Sequence, residues 1–277
     1  NPGEDLFGNY QWYAITAIME MLARMSGDFD EWIAVKSRDL SKPYCFLEIA
    51  EACKVARKYD MALDWAERGV KAFSNHPDPG LWKFLADEYH RRKRHGDAIM
   101  IIWAVFADSP TFKTYQLLAS HAKRVKDWPN WRNRAIKKVT EHIAKRKKEG
   151  DKTRFAWTAP VDQSLLVEIF LWEEEVDAAW KTAKAGGCSA SLWLDLAKHR
   201  AKEHPEDAVQ VYQERIEPTL AGKNDTAYAQ AVEYLRIIRD LMNRLNRQAE
   251  FAAYLAAIRN TYKLKRNFIK RLDKFNG

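Results

Sequence analysis

One spacing, repeated at a fixed offset, constrains this chain more than any other feature. Trp82, Leu85, Ala86 and Tyr89 stand at i, i+3, i+4 and i+7 and share one face of a helix, while Ala98, Ile102 and Val105 form a second stripe. Thirty-six residues earlier, Phe46, Ile49, Ala50 and Cys53, followed by Ala62, Ala66 and Gly69, occupy the same positions. An offset shared across two helices also fixes the length of the turn between them, so the repeated object is a helical hairpin. Trp82 and Tyr89 are too large for one hairpin to cover, and Ala86 and Ala98 allow close helix approach. Such a unit needs stacked neighbours. His95-Gly96 is the expected turn of the central hairpin, Pro110 its end, and Asn75 to Gly80 the linker before it.

The chain supplies those neighbours. Residues 1–43 read as N-terminal helices, Tyr10 to Met25 and Phe29 to Val35, that cap an array. Residues 44–148 hold three hairpins. In the third, Tyr115, Leu118, Ala119 and Ala122 restate the first helix, but Ala135, Val139 and His142 arrive four residues late, a delay assigned to the turn Lys126 to Trp131. Trp128 and Trp131 in that turn are expected to fold back onto the hairpin. Periodicity lapses from Lys145 to Thr153, the expected boundary. Residues 149–277 then give hairpins four to six. They run through Leu166, Val167, Phe170, Ala179 and Ala183 to a stop at Gly186-Gly187, through Trp193, Leu196, Ala197, Pro205, Ala208 and Tyr212, and through 225–243 and 247–262. A basic tail ends at Lys274. No strand pattern occurs, so the expected fold is all-α, an α-α superhelix of helical hairpins.

The central hairpin resembles the tetratricopeptide type. LWEEEVDAAWKTAKAGGCS from Leu171, LWLDLAKHRAKEHPEDAVQVYQ from Leu192 and YLAAIRNTYKLKRNFIKRLDK from Tyr254 resemble the C-terminal helical region of bacterial SWIM zinc-finger proteins, over roughly 153–275. That family carries a C-x-C…C-x-H zinc module toward its N-terminal side. This chain has no C-x-C, so no metal ligand transfers to it, and the resemblance implies a fragment holding the helical portion. The tetratricopeptide resemblance implies that first helices line a concave surface. Lys83, Asp87, His90, Arg91, Lys123, Arg124, Lys198 and Lys202 would then form a basic groove for a protein or acidic peptide segment.

Catalytic signatures are missing. There is no Gly-rich phosphate loop, G-x-S-x-G or H-E-x-x-H, so the expectation is a non-enzymatic scaffold without cofactor or metal. His90 and His95, like His199 and His204, are five apart and read as lying on different faces of a helix. Glu173-Glu174-Glu175 reads as a solvated helix start. Three cysteines, Cys45, Cys53 and Cys188, match no zinc or redox spacing and read as small buried hydrophobes in a reducing, cytoplasmic protein. No apolar run reaches the roughly 20 residues of a membrane span.

Charge is uneven. The net +8 divides into −4 over 1–79, +11 over 80–155 and +1 over 156–277. Arg92, Lys93 and Arg94, with Lys145, Arg146, Lys147 and Lys148, offer an alternative reading as a DNA- or RNA-binding segment. Solvated basic turns and a solvated linker explain the same residues more simply.

Overall fold

The computed structural model describes residue 15 and residues 17–23, 25–76, 78–150 and 162–274; nothing is said below of the side chains of 149 and 150. Two compact units divide between Val139 and Thr140. Among the described residues every regular element is a helix, and no helix is long and apolar enough to cross a membrane. Of the expected Tyr10–Met25 helix, residues 10–14, 16 and 24 lie outside the description, and 17–23 are helical.

The first unit holds α1 (Phe29–Lys36), then the hairpins of α2 (Pro43–Val55) on α3 (Tyr59–Ala72) and α4 (Pro79–Arg91) on α5 (His95–Asp108), and α6 (Phe112–Arg124) followed by the start of α7 (Trp128–Gly150), whose residues from Thr140 belong to the second unit. The two stripes read from the sequence form the core: Phe46, Ile49, Ala50, Cys53, Trp82, Leu85, Ala86, Tyr89, Tyr115, Leu118, Ala119 and Ala122 are all buried. The turns differ from expectation. His95-Gly96 is not a turn but the start of α5; the turn is Arg92 to Arg94, with Lys93 at φ +64°. The same device closes the other two hairpins, with Arg57 at φ +59° and Lys126 at φ +57°. In each, the following amide reaches back to a carbonyl five residues earlier: Lys58 to Cys53, Arg94 to Tyr89, Asp127 to Ala122.

These left-handed residues provide one register for the whole chain. The third hairpin sits at an offset of 33 from the second, and its second helix is not late. Trp131 takes the place of Ala98 and is buried, so the large ring fills where the small residue stood. The proposed Lys126–Trp131 turn is therefore short, with Trp128 and Pro129 inside α7. Both rings do fold back, Trp131 onto Trp103 at 5.6 Å and Trp128 edge-on to Tyr115 at 5.5 Å. Likewise Lys145 to Lys148 lie on α7, not in a linker, and Asp78 of the supposed linker caps α4 by accepting from the Leu81 amide at 2.8 Å.

The second unit continues the register with α8 (Ser164–Trp172) on α9 (Val176–Gly186), α10 (Ala190–Arg200) on α11 (Pro205–Leu220), and α12 (Asp225–Arg244) on α13 (Gln248–Thr261). Glu174 and Asn246 repeat the left-handed turn. The fifth hairpin departs from it: His204 precedes Pro205, whose ring pushes the preceding residue toward extended backbone, and His204 sits at φ −132°. The basic tail is a packed helix, α14 (Arg266–Asp273), which buries Phe268 and Leu272 against α12. Amphipathic spacing within the lysines and arginines was the signal for it. Cys45 and Cys53 are buried and Cys188 is half-buried, all free thiols.

Two stability changes follow from this register. A β-carbon costs about 1–2 kcal/mol in the left-handed region, so Lys93→Gly is expected to raise stability by about 0.5–1 kcal/mol after the extra unfolded-state entropy, seen as a higher urea midpoint. Gly69 is the opposite case. A β-carbon there would lie 2.6 Å from Phe46 Cβ, next to the α2 backbone. Gly69→Ala is expected to cost about 1–3 kcal/mol by overpacking. Gly186, at the equivalent place in the fourth hairpin, faces the movable Gln163 side chain, so Gly186→Ala should shift the midpoint less.

Candidate functional site

The first helices of the hairpins in the first unit share an open face with two depressions. One, of about 650 Å³, lies between α2 and α4 and is lined by Leu47, Glu51, Lys54, Val55, Gly80, Lys83, Phe84 and Asp87. The second, of about 570 Å³, lies between α4 and α6 and includes Lys113, Thr114, Gln116 and Leu117. Gly80 and Lys83 line both, so the two adjoin. Gly80 keeps the junction low: a β-carbon there would meet Leu47 Cδ2 at 3.2 Å.

Charge on this face is ordered by neighbouring helices. Lys83 Nζ donates to Asp87 Oδ2 at 2.8 Å, and Arg124 Nη1 donates to Asp87 Oδ1 at 2.7 Å. Burial by itself would raise the Asp87 carboxyl; the two cationic donors outweigh it and hold it below the ordinary carboxylate value. Three of the expected groove residues, Lys83, Asp87 and Arg124, are thus brought together. The chemistry this permits is capture of an anionic group by Lys83 and Lys113, with apolar contact from Leu47, Phe84 and Leu117.

Beside the groove runs a chain of three imidazoles. His90 Nε2 shares a hydrogen bond with His121 Nδ1 at 3.0 Å, and His90 Nδ1 shares another with His95 Nδ1 at 2.8 Å. His90 and His95 are not on different faces of one helix: the left-handed turn at Lys93 folds α5 back and joins them. Two separate nitrogens of His90 serve its two neighbours, so each contact has its own donor and acceptor. Among the described residues no group of three or more His, Cys, Asp or Glu could hold a metal ion. His121 is 1% exposed, and burial pushes its pKa down to about 4. Burial, then the nearby Arg124 and His95 charges, also lower His90.

Glu88 is fully buried in α4. Lys54 Nζ lies 2.9 Å from Oε1, and Arg91 donates to Oε2 at 2.8 Å. Burial opposes the carboxylate, yet the paired cations hold its pKa below the ordinary value. Glu88 and His121 occupy one register position, five residues before the left-handed turn, where other hairpins carry Ile169 and Leu241. A polar residue at an apolar register position was a sequence signal available for both, and neither was found that way.

Other expected residues have different surroundings. Arg91 lies over the Tyr59 ring at 4.4 Å besides its pairing with Glu88. Arg92 donates to Asp60 at 2.6 Å and to the Tyr59 carbonyl at 3.0 Å. Arg94 donates to Asp97 at 2.7 Å and lies 4.1 Å over the Tyr89 ring. Lys93 is exposed at the turn, and Lys123 is exposed in the last turn of α6. Lys198 and Lys202 belong to the second unit, where Lys198 pairs with Asp195 at 2.9 Å and the Lys202 carbonyl accepts from Arg244. Lys145, Arg146, Lys147 and Lys148 are exposed on α7. A third pocket, of about 520 Å³ in the second unit, is lined by Glu174, Glu175, Asp177, Glu203, His199, His204 and Arg200. Arg200 is buried there between Asp177 and Asp207, both at 2.6 Å, so its charge is committed within the fold.

A scan of protein-family models finds no match to this chain, and a search of curated proteins finds none either. Among solved structures the chain is similar to one titled "TPR2AB-domain:pHSP90-complex of yeast Sti1", with 15% identity over 93% of this chain and 98% of that one and a TM-score of 0.24. That score adds nothing to the hairpin register already described.

Proposed function

We propose that the chain is a non-enzymatic helical-repeat scaffold that binds an extended, acidic segment of another protein across the α2, α4 and α6 face. The observation that supports this reading best is the pair of adjoining depressions joined at Gly80 and Lys83, with Lys54 in one and Lys113 in the other, apolar Leu47, Phe84 and Leu117 beside them, and Glu51 and Asp87 as the acidic members of the lining. An extended peptide places alternate side chains on one surface about 7 Å apart, so one strand can present an acid to Lys83 or Lys113 and an apolar residue to Leu117 or Phe84. On the same reading, residues 153–275 are the helical portion of a SWIM-type zinc-finger protein, and the bound segment is one presented near that module.

The test is a titration of fluorescent 12-residue peptides of Glu and Leu in alternation against their Lys and Leu counterparts. The acidic series should bind, and Lys83→Glu with Lys113→Glu should weaken it at least tenfold. Equal affinity for the Lys series, or no effect of the two reversals, would count against the groove.

A further inference from the structure

A third depression adjoins the two that form the peptide groove. It encloses about 390 Å³ between α1, the helical residues 17–23 and α2, and its walls include Ala23, Phe29, Trp32, Ala52, Val55 and Ala56. Val55 lines both this socket and the α2–α4 depression, so the three make one continuous track within the first unit.

The socket differs in chemistry from the rest of the track. Alanine at positions 23, 52 and 56 leaves its space open, and the Phe29 and Trp32 rings, 5.9 Å apart, form one side. Asp28, the one charged residue among the described lining, accepts from the Asp30 and Glu31 amides at 3.0 and 2.9 Å. That carboxylate is engaged in capping α1. Val55, on the ridge between socket and groove, is 86% exposed and presents apolar surface to water. A cavity of this size and lining accepts one large apolar side chain, whose burial strengthens binding by about tenfold to a hundredfold.

Charge sets the order in which a ligand lies along the track. Lys54 is held by Glu88 at 2.9 Å and Lys83 by Asp87 at 2.8 Å, so both are neutralised within the fold. Among the described residues Glu51 and Lys113, which also line the groove, make no ion pair. Glu51 stands one helical turn before Val55 on α2 and repels an acid close to the socket. Lys113, on α6, attracts one at the far end. Socket and Lys113 lie two helix-to-helix steps apart, roughly 16–20 Å at 8–10 Å per step. An extended segment covers that distance with about five or six residues.

We propose that the segment bound on this face is anchored by one large apolar side chain in the socket between α1 and α2, and that its acidic residue, about five or six positions away, pairs with Lys113. The proposal rests on the groove reading above and adds the anchor, the spacing and the end at which the acid lies.

Anisotropy of fluorescent, end-blocked ten-residue peptides titrated with the full chain tests this. The parent peptide carries one Phe and one Glu six positions apart in a background of Ser and Gln; a second has Ser for Phe, and a third brings Phe and Glu two positions apart. Both changes should weaken binding at least tenfold. In Ala56→Phe, which fills the socket, the Phe and Ser peptides should bind equally, and Val55→Ser at the exposed ridge should narrow their difference. Lys113→Gln should erase the effect of spacing. Urea midpoints establish that the variants remain folded. Equal affinity of the wild type for the Phe and Ser peptides, with acidic peptides still bound, overturns the anchor and leaves the groove standing. Loss of all acidic-peptide binding overturns both. A monomer–dimer equilibrium abolished by Ala56→Phe, with no difference between the Phe and Ser peptides, would also overturn the anchor and assign the socket to a second copy of the chain.

Discussion

Replacing Lys54 and Arg91 together by Met is expected to destabilise the first unit by about 3–5 kcal/mol, whereas Glu88→Leu alone should cost far less. The asymmetry comes from burial. Glu88 is 0% exposed, while the side chains of Lys54 and Arg91 are 42% and 41% exposed. Losing the cations strands a carboxylate out of reach of water. Losing the carboxylate leaves two cations that turn outward and hydrate, and Met keeps the apolar stems over Phe84 and Tyr59. The pH dependence separates the cases. In the native protein the Glu88 pKa is lowered on folding, so its pairing contributes stability above the unfolded carboxylate value and loses it as pH falls through the folded one. In the double variant, burial is unopposed and the folded pKa rises. Stability should then recover as the pH is lowered toward 5. Urea midpoints at pH 7.5 and 5 check both statements, and a double variant no less stable than Glu88→Leu would contradict them.

The second large effect belongs to His121. Its folded pKa is near 4 against an ordinary value of 6.5, so between those limits the unfolded chain binds a proton that the folded chain refuses. The stability associated with neutral His121 is complete above about pH 6.5 and lost as pH falls toward 4, a total of about 3 kcal/mol at 1.36 kcal/mol per pH unit. Burial is the main cause, and of the surrounding charges Arg124, His90 and Lys83 oppose protonation while only Asp87 favours it. His121→Gln keeps a hydrogen-bonding group for His90 but has nothing to titrate. The difference in stability between wild type and His121→Gln should therefore shrink by up to ~3 kcal/mol as pH drops from 7 to 4.5. Carboxylates that do not interact with His121 titrate alike in both proteins and cancel, while Asp87, which does interact with it, adds a smaller change. A difference that stays constant across that range would show that His121 is not the titrating group.

How far the sequence disclosed this protein depends on which chemistry is asked about. Apolar burial repeats with the helix period, so Trp82, Leu85, Ala86 and Tyr89 and their 36-residue counterparts identified the core. The turns were harder to read because Arg57, Lys93 and Lys126 take a left-handed conformation usually left to glycine. Gly96 therefore points to a turn at His95-Gly96, three residues past the left-handed Lys93. Trp131 carries no repeat signal because its counterpart is Ala98, and its ring is accommodated against Trp103.

Polar pairing left a weaker trace still. Asp87 with Arg124 and His90 with His121 join first helices of successive hairpins, 37 and 31 residues apart, and no single-helix spacing reports such contacts. The density of basic residues in the middle of the chain was plain, but its division was not. Only coordinates show that Arg92 and Arg94 are held by Asp60 and Asp97. The groove expectation came from the hairpin type; of its residues Lys83 and Asp87 line a depression, whereas Lys54 and Lys113, which line the two depressions as well, were not singled out.

The most direct test of the scaffold reading is backbone hydrogen exchange of the full chain with and without the tightest acidic 12-residue peptide. The account predicts slowed exchange in α2, α4 and α6, centred on 47–55, 80–87 and 113–117, with α3 and α5 unchanged. Protection on α3 and α5 with none on those three helices would contradict it.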